Sequence, residues 1–146
     1  MLKSMQISAS GMTVQRLRMD VIAQNVANMN TTRTADGRGP YRRRLVSVAE
    51  DIENRSFAHH LKAATKDFTG KGIKATRIVE DATPFKRVHD PGHPDADDEG
   101  YVLMPNVDNL KEMVDMISAT RSYEANVTAF NAAKSMAVKG LDIGRR

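Results

Sequence analysis

The chain has 146 residues, with 22 basic and 18 acidic side chains and a formal net charge of +4. It contains no cysteine, which excludes disulfides, thiolate metal sites and cysteine nucleophiles. No stretch approaches about 18 consecutive apolar residues, so we expect no direct insertion into a membrane. The first residues also lack the apolar core of a cleaved secretory signal. Aromatic residues make up only 5% of the chain, which predicts a modest hydrophobic core.

An amphipathic pattern predicts one long helix over residues 2–29, within an N-terminal segment that spans residues 1–30. Its apolar residues recur in alternating steps of three and four, which is the spacing of a coiled-coil seam. A second apolar stripe runs beside the first, so we expect contacts with more than one neighbouring element. The first stripe consists of Leu2, Met5, Ala9, Met12, Met19, Ala23 and Val26, and the second of Ile7, Val14, Leu17 and Val21.

Residues 31–105 differ from the two helical segments, and their sequence predicts a small β-rich insert. Glycine- and proline-rich stretches mark loops, most clearly TADGRGP and DPGHPDADDEG. Short runs enriched in β-branched and aromatic residues predict strands at residues 41–48, 73–80 and 101–104. Helical spacing of apolar residues at 56–67 predicts a short helix between the first two strands.

The pattern returns to helix over residues 107–141, within a C-terminal segment that spans residues 106–146. Asn106 or Asp108 is a suitable N-cap, because either side chain can accept a bond from an unpaired backbone N–H group of the first turn. Lys134 interrupts an otherwise regular heptad series. That series consists of Met113, Met116, Thr120, Tyr123, Val127, Phe130, Ala137 and Leu141, beside a second stripe of Leu110, Val114 and Ile117.

These segments predict a mainly α fold with a small β-rich insert, in which long N- and C-terminal helices pack as a coiled-coil hairpin. Helices of roughly 28 and 35 residues would be about 42 and 52 Å long, against a diameter of about 29 Å for a compact domain of this size. Such helices project, so their surplus apolar stripes predict packing between molecules. A hairpin that buries its seam within one monomer is the alternative.

The acidic loop DPGHPDADDEG raises the question of a metal site. The acidic spacing from Asp95 mimics the start of an EF-hand loop, but the twelfth position is Asn106 instead of the required glutamate. Asp90, His93 and Asp95 could form a looser cation site in a metal-dependent enzyme, although a solvated acidic turn is the favoured interpretation. No GxSxG, P-loop or GxGxxG motif occurs, so we predict a non-enzyme with no catalytic residue, no metal ligand and no cofactor.

Three consecutive arginines, Arg42, Arg43 and Arg44, form the strongest basic feature and could contact an anionic polymer. Only Tyr41 offers a stacking face nearby, and the run is short. We therefore favour arginines that pair with acidic neighbours, such as the cluster at 95–99, or with a second subunit. A basic nucleic-acid-binding module is the alternative function, although we expect no nucleic-acid partner.

Both ends of the chain resemble bacterial flagellar basal-body rod proteins. The stretch SASGMTVQRLRMDVIAQNVANMNTTRT, followed by GPYRRR, is similar to the N-terminal signature of that family. The stretch DPGHPDADDEGYVLMPNVDNLKEMVDMISATRSYEANVTAFNAAKSM is similar to the C-terminal signature of a member from the proximal rod. The resemblance covers about half of the chain and does not extend to residues 50–88.

The resemblance implies a structural subunit of the rod, a helical tube that transmits motor torque across the periplasm. In this family the terminal helices pack as a coiled coil that lines the tube, and the insert lies outside them. The subunits are exported by the flagellar type III apparatus without a cleaved signal peptide. The expected partners are copies of the chain, other flagellar rod proteins, and the adaptor that joins the rod to the export gate and MS ring.

The seams and their polar neighbours give a hypothesis for the assembly interface. Asn25, Asn28, Asn126 and Asn131 lie beside the apolar lines, where a buried amide weakens a coiled coil but fixes its register. We expect them to set register within the hairpin or between subunits; the alternative is that they face water or cap a bend. The predicted interface comprises Leu2, Met5, Met12, Met19, Asn25, Asn28, Met113, Met116, Tyr123, Asn126, Val127, Phe130, Asn131 and Leu141.

Overall fold

The computed structural model describes residues 2–34, 37, 39–51 and 72–144. In that part of the chain, two terminal helices enclose a small β-rich insert, which confirms the predicted mainly helical fold. The short helix predicted at 56–67 lies outside the described residues. In chain order the elements are α1 (Leu2–Ala27), β1 (Arg44–Glu50), β2 (Ile73–Glu80), β3 (Lys86–His89), β4 (Tyr101–Met104) and α2 (Asn109–Ile143).

Both helices differ by about two residues from their predicted limits. α1 ends at Ala27, two residues early, and a turn follows it. α2 starts directly after Asp108, whose side chain accepts a 3.0 Å hydrogen bond from the Leu110 backbone nitrogen and is therefore the N-cap. Asn106, the other candidate cap, bonds elsewhere. α2 continues two residues beyond its predicted end.

The insert consists of two antiparallel hairpins, one formed by β1 and β2 and the other by β3 and β4. The strands predicted at 73–80 and 101–104 are confirmed. The strand predicted at 41–48 begins only at Arg44. The reason is a tertiary contact, since the backbone N–H of Arg43 donates to the side chain of Asn106 at 2.8 Å instead of to a strand.

β3 is a strand that the sequence does not predict. Three of its four residues have basic or imidazole side chains, a composition with little β signal. It forms because it pairs with β4, across which the rings of His89 and Tyr101 meet edge-on with 5.0 Å between centroids. The Arg87 guanidinium also lies 4.8 Å from the centre of the Tyr101 ring. Cross-strand contacts therefore outweigh local propensity.

α1 and α2 pack side by side and run in opposite directions. Residue numbers rise along one helix as they fall along the other at three contacts between them. By the same register, the last two turns of α2, from residue 137 onward, extend past the start of α1. These three contacts are Asn25 with Glu112, Met19 with Thr120, and Gly11 with Asn126. An ion pair also joins Arg18 of α1 to Asp115 of α2.

The buried core is small and lies mainly where the helices meet the insert. Among the described residues, neither helix combines the length and apolarity needed to cross a membrane. The buried apolar side chains are Val14, Val21, Ile22, Tyr41, Val102, Val107, Ala119 and Ala133.

Candidate assembly interface

The face of α2 that packs against α1 follows a heptad line whose members are buried or half-buried. The predicted series shares every second member with this line and is displaced by one residue at the others. The displacement removes the apparent break at Lys134, because the line passes instead through Ala133, which is 4% exposed. The observed line comprises Glu112, Met116, Ala119, Tyr123, Asn126, Phe130, Ala133 and Ala137.

Several residues of the predicted interface lie off this packed face. On α2, Met113 is 54% exposed and Leu141 is 71% exposed. On α1, Leu2 is 76% exposed. These three side chains are therefore free to contact another molecule. Among the other residues of the predicted interface, Met5, Met12, Met19 and Val127 are half-buried.

Gly11 creates the space that the Asn126 amide occupies. A Cβ atom at position 11 would lie 2.8 Å from Asn126 Oδ1, closer than packed atoms approach. The Nδ2 group of Asn126 donates to the Ser122 carbonyl at 2.8 Å, so the amide is satisfied within α2. Asn126 was predicted to lie beside the seam, whereas it lies on the seam and contacts the other helix of the same chain.

Two other asparagines of the register hypothesis, Asn28 and Asn131, have different surroundings. Asn28 donates to the Gln24 carbonyl at 2.9 Å and accepts a bond from the Thr31 hydroxyl, so it organises the turn after α1. Asn131 is exposed. Of the four asparagines in the register hypothesis, only Asn25 and Asn126 lie between α1 and α2.

Asn25 lies at the centre of a buried polar cluster where α1, α2 and β1 meet, and it is 1% exposed. Its Nδ2 group donates to Glu112 Oε2 at 3.0 Å and to the Arg44 carbonyl at 2.9 Å. Its Oδ1 accepts from the Tyr41 hydroxyl at 3.0 Å and from the Arg44 N–H at 2.9 Å. Burial raises the pKa of the Tyr41 hydroxyl, which therefore stays a donor. One amide thus ties the end of α1 to β1 and α2.

Arg43 supplies the positive charge of this cluster. Its side chain is 7% exposed and that of Glu112 is 0% exposed, and Nε donates to Glu112 Oε1 at 2.6 Å. Its Nη groups also reach Asp115 at 3.1 Å and Asp81 at 3.5 Å. Burial lowers the pKa of the Arg43 guanidinium, but Glu112, Asp115 and Asp81 together outweigh burial and leave the pKa above its usual value. The two buried charges therefore depend on each other.

Asn106 connects the cluster to the segment that leads into β3. Its Oδ1 accepts from the Arg43 N–H at 2.8 Å, and its Nδ2 donates to the Thr83 hydroxyl at 2.8 Å and the Asp81 carbonyl at 3.2 Å. A hydrogen bond from the Thr83 backbone holds the pKa of the Asp81 carboxyl below its usual value, with a further contribution from Arg43. We call Asn25, Tyr41, Arg43, Asn106 and Glu112 the polar joint.

The sequence reasoning did not identify Glu112 or Asn106 as members of this cluster. One signal was present, because Glu112 stands four residues before Met116 and therefore in phase with an apolar line. A charged residue at a core position needs a buried partner of opposite charge, and an arginine in a predicted strand is a natural candidate. The partner's identity depends on the tertiary fold.

The arginine run does not form the basic surface that polymer binding requires. Arg43 is buried in the polar joint, so that residue is not available for the contact with an anionic polymer that the sequence left as the less favoured alternative. Arg42 lies 4.5 Å from the centre of the Phe85 ring, and Arg44 lies over a tyrosine ring at 5.6 Å. Arginine pairing with acidic neighbours is confirmed for Arg43, although those neighbours are not in the cluster at 95–99.

The acidic loop is engaged by groups of the chain itself. Asp95 accepts a 2.7 Å bond from the Thr32 hydroxyl and pairs with Arg33, and these contacts lower the pKa of its carboxyl. His93 Nδ1 accepts the Asp95 N–H at 3.1 Å, and Asp90 accepts a backbone N–H two residues later. Within the described ranges, no group of three or more histidine or acidic side chains could hold a metal ion. These contacts support the favoured interpretation of an acidic turn.

Two apolar surfaces of α2 are exposed. The head stripe, near the helix N-terminus, consists of Leu110, Met113, Val114 and Ile117, which are 73%, 54%, 60% and 53% exposed. The tail patch, in the overhanging last turns, consists of Val138, Leu141 and Ile143, which are 51%, 71% and 78% exposed. The head stripe follows the i, i+3, i+4, i+7 spacing of one helix face.

Comparison with known proteins identifies the family to which the chain belongs. Residues 5–33 match the model described as flagella basal body rod protein, and residues 98–143 match the model described as flagellar basal body rod FlgEFG protein C-terminal. The chain is 50% identical to the flagellar basal-body rod protein FlgC of Bacillus subtilis, over 97% of each chain. The chain belongs to the FlgC family.

Other FlgC proteins match over a similar span. The identity is 44% to FlgC of Borreliella burgdorferi, over 91% of this chain and 90% of the relative. It is 41% to FlgC of Aquifex aeolicus, over 91% and 89%. Membership of the FlgC family confirms the resemblance inferred from the sequence. The chain is a structural protein of the flagellar basal-body rod, and the family assignment excludes the enzyme alternative.

Proposed function

We propose that this chain assembles with copies of itself and with other rod proteins, using the apolar surfaces of its terminal helices. The head stripe carries this proposal. A fully buried side chain of this kind contributes about 1.5–3 kcal/mol relative to an exposed one. Four such side chains on one helix face therefore form a surface that favours a protein neighbour over water.

In this proposal, segments 1–30 and 106–146 form the rod core as a coiled-coil hairpin, and segment 31–105 lies outside it. Of the predicted interface residues, the exposed Leu2, Met113 and Leu141 contact neighbouring subunits. The buried members instead align α1 with α2 inside each subunit. Heterologous contacts that do not close on themselves build a helical tube, and interlocked helices give that tube the stiffness to transmit torque.

The proposal extends to location and export. The family resemblance supports export by the flagellar type III apparatus without a cleaved signal peptide, and a final position in the periplasmic part of the basal body. It also supports contact with the adaptor between the rod and the export gate and MS ring. These partners would meet the helices, since the head stripe and the tail patch on α2 are exposed.

A complementation experiment tests the proposal. In a flagellated host that lacks its own FlgC, this chain should restore rods and swimming. A variant with Leu110→Asp and Ile117→Asp should fold, because both side chains are exposed, but should fail to enter rods. Arg77→Asp, an exposed change on β2, is the matched control and should support swimming. Normal swimming with the double variant would contradict the proposal.

A further inference from the structure

The β1–β2 hairpin is fixed to α1 at both of its ends. At one end, the Asn25 amide pairs with the backbone of Arg44, the first residue of β1, through two hydrogen bonds of 2.9 Å. At the other end, the hydroxyl of Ser10 accepts a 3.2 Å hydrogen bond from the backbone N–H of Ile73, the first residue of β2. We call this second contact, together with the adjoining Gly72, the far anchor. Each strand of the β1–β2 hairpin therefore begins at a hydrogen bond to α1.

Gly72 makes the far anchor a close contact. Its φ is +108°, a conformation that residues with a side chain rarely adopt, and a Cβ atom there would collide with Ser10 Oγ and lie 3.5 Å from the Ile7 Cα atom. Ser10 Oγ also donates to the Ile7 carbonyl at 2.7 Å, so α1 itself orients the hydroxyl. The far anchor therefore depends on a glycine in the β1–β2 hairpin and on a small hydroxyl side chain in α1.

The two anchors enclose most of the second apolar stripe of α1. Steps of three and four place the anchors and the apolar residues between them on one helix face. That face consists of Ser10, Val14, Leu17, Val21 and Asn25. Val14 is 4% exposed and Val21 is 3% exposed, and Leu17 is half-buried. Val21 and Leu45 line one cavity between α1 and β1, and both strands contact α1. The β1–β2 hairpin is therefore the second neighbour that this stripe predicts.

The anchors have matching separations on the two elements. From Ser10 to Asn25 the helix rises about 22 Å. Glu50 is the partner of Ile73, and from Arg44 to Glu50 β1 spans about 20 Å. The β1–β2 hairpin therefore lies lengthwise along α1, and β1 runs in the opposite direction to the helix. A single anchor would let the β1–β2 hairpin pivot, whereas two anchors set its direction.

We propose that Ser10 and Gly72 are positioning residues for assembly: the far anchor holds the insert at the angle to the helix pair at which the subunit enters the rod. This inference rests on the proposed function and assigns to it a contact inside the subunit. The polar joint fixes only the near end of the β1–β2 hairpin. When the far anchor is released, the far end lifts and uncovers Val14. The subunit then presents a misplaced insert and an additional apolar surface, neither of which its neighbours match.

Paired spin labels on the full-length subunit test the angle of the insert. Because the chain has no cysteine, Lys74→Cys on β2 and Glu124→Cys on α2, both exposed, provide the only two labelling sites. Pulsed electron paramagnetic resonance should give one narrow distance distribution. Ser10→Gln should broaden or shift it, because the longer side chain does not fit beneath Gly72, while glutamine favours helix at least as well as serine. Thr13→Gln is the matched control, since Thr13 is exposed and its hydroxyl bonds within α1, and it should leave the distribution narrow.

The same substitutions in the host that lacks its own FlgC connect the angle to assembly. Ser10→Gln should give several-fold fewer rods than the unsubstituted chain. Gly72→Ala, which collides with Ser10 from the side of the β1–β2 hairpin, should act in the same way. Thr13→Gln should form rods in normal number. Circular dichroism of the purified variants should show unchanged helix content, so that the loss of rods reflects position and not unfolding.

The outcomes separate this inference from the proposed function. An unchanged distance distribution with Ser10→Gln, or normal rod numbers despite a broadened one, overturns the inference alone. Loss of the helical signal in both Ser10→Gln and Gly72→Ala would make the far anchor a folding contact and would also overturn the inference. Failure of the unsubstituted chain to form rods in the complemented host counts against the proposed function.

Discussion

The two ends of the helix pair differ in chemistry. At one end, the polar joint buries an arginine, a glutamate and two asparagines, and each of these side chains has partners from at least two segments. At the other end, the overhang of α2 exposes Val138, Leu141 and Ile143, and Leu2 at the start of α1 is equally exposed. The first end is complete within one chain, whereas the second is complete only when something else covers it.

The two ends contribute differently to the stability of the free subunit. A buried ion pair gives little net stability compared with apolar residues of the same shape, but removal of one partner is costly because the other charge stays buried. The joint therefore favours one arrangement of the insert on the helices. The exposed tail contributes little to the monomer and remains available for assembly.

The largest expected effect comes from breaking the joint. Glu112→Ala should lower the free energy of unfolding by about 3–5 kcal/mol, because it leaves the Arg43 guanidinium buried without its main partner. Urea denaturation followed by circular dichroism would measure the loss. Glu124→Ala, an exposed glutamate on the same helix, is the matched control and should change stability by less than about 0.5 kcal/mol.

A double variant sharpens the same test. Arg43→Met combined with Glu112→Leu should be more stable than Glu112→Ala alone, because the guanidinium that Glu112→Ala leaves buried without its main partner is also removed. If the double variant lost as much stability as Arg43→Met and Glu112→Leu lose singly when added together, Arg43 and Glu112 would act independently and the interdependence of the joint would be wrong.

A smaller effect is expected midway between the two ends, at Gly11. Gly11→Ala should destabilise the subunit by about 1–3 kcal/mol, because the added methyl group meets the Asn126 amide at 2.8 Å. Asn126→Ala should recover part of this loss in the Gly11→Ala background. Gly140→Ala is the control, since a Cβ there meets nothing within 4 Å, and it should stabilise the helix by up to about 1 kcal/mol. Equal effects of the two glycine changes on thermal stability would show that Asn126 does not fill the space at Gly11.

Gly11 and Asn126 also show what the sequence could and could not predict. The heptad period of both helices and the strands β2 and β4 follow from local pattern, which also narrows the N-cap of α2 to Asn106 or Asp108. The phase of the seam does not, because apolar residues on two faces of α2 support two lines that differ by one residue. The packed line is chosen by partners far away in sequence, Gly11 for Asn126 and Arg43 for Glu112.

The same reason limits prediction of the site. The exposed apolar stripe at Leu110, Val114 and Ile117 was read directly from its spacing, and the structure leaves it uncovered. The polar joint was not predicted, because local pattern treats a glutamate as solvated unless its partner is known. β3 was missed for a related cause, since its stability comes from β4 and not from its own residues.

Acid should weaken the contacts of Asp81, whose carboxyl pairs with Arg43 of the polar joint. The folded-state pKa of Asp81 lies below its usual value, mainly through the Thr83 backbone hydrogen bond and with help from Arg43. Its contribution is therefore present above the unfolded-state pKa and is lost as the pH falls from about 5 through the folded-state pKa. The free energy of unfolding should decline over that window, and Asp81→Asn should flatten the decline. Identical pH profiles for the two proteins would contradict this role.

The smallest effect on the free subunit is expected at the tail, where the effect on assembly should be large. Leu141→Ala removes a side chain that is 71% exposed, so the free energy of unfolding should change by no more than about 0.5 kcal/mol. In the host that lacks its own FlgC, the same variant should form fewer rods, because the tail patch loses its central side chain. Ser135→Ala, an exposed polar change on α2, should alter neither quantity. A large loss of monomer stability in Leu141→Ala would mean that the tail is already packed within the subunit. The polar joint and the tail patch would then both contribute to folding, and only the assignment of the tail patch to assembly would be wrong.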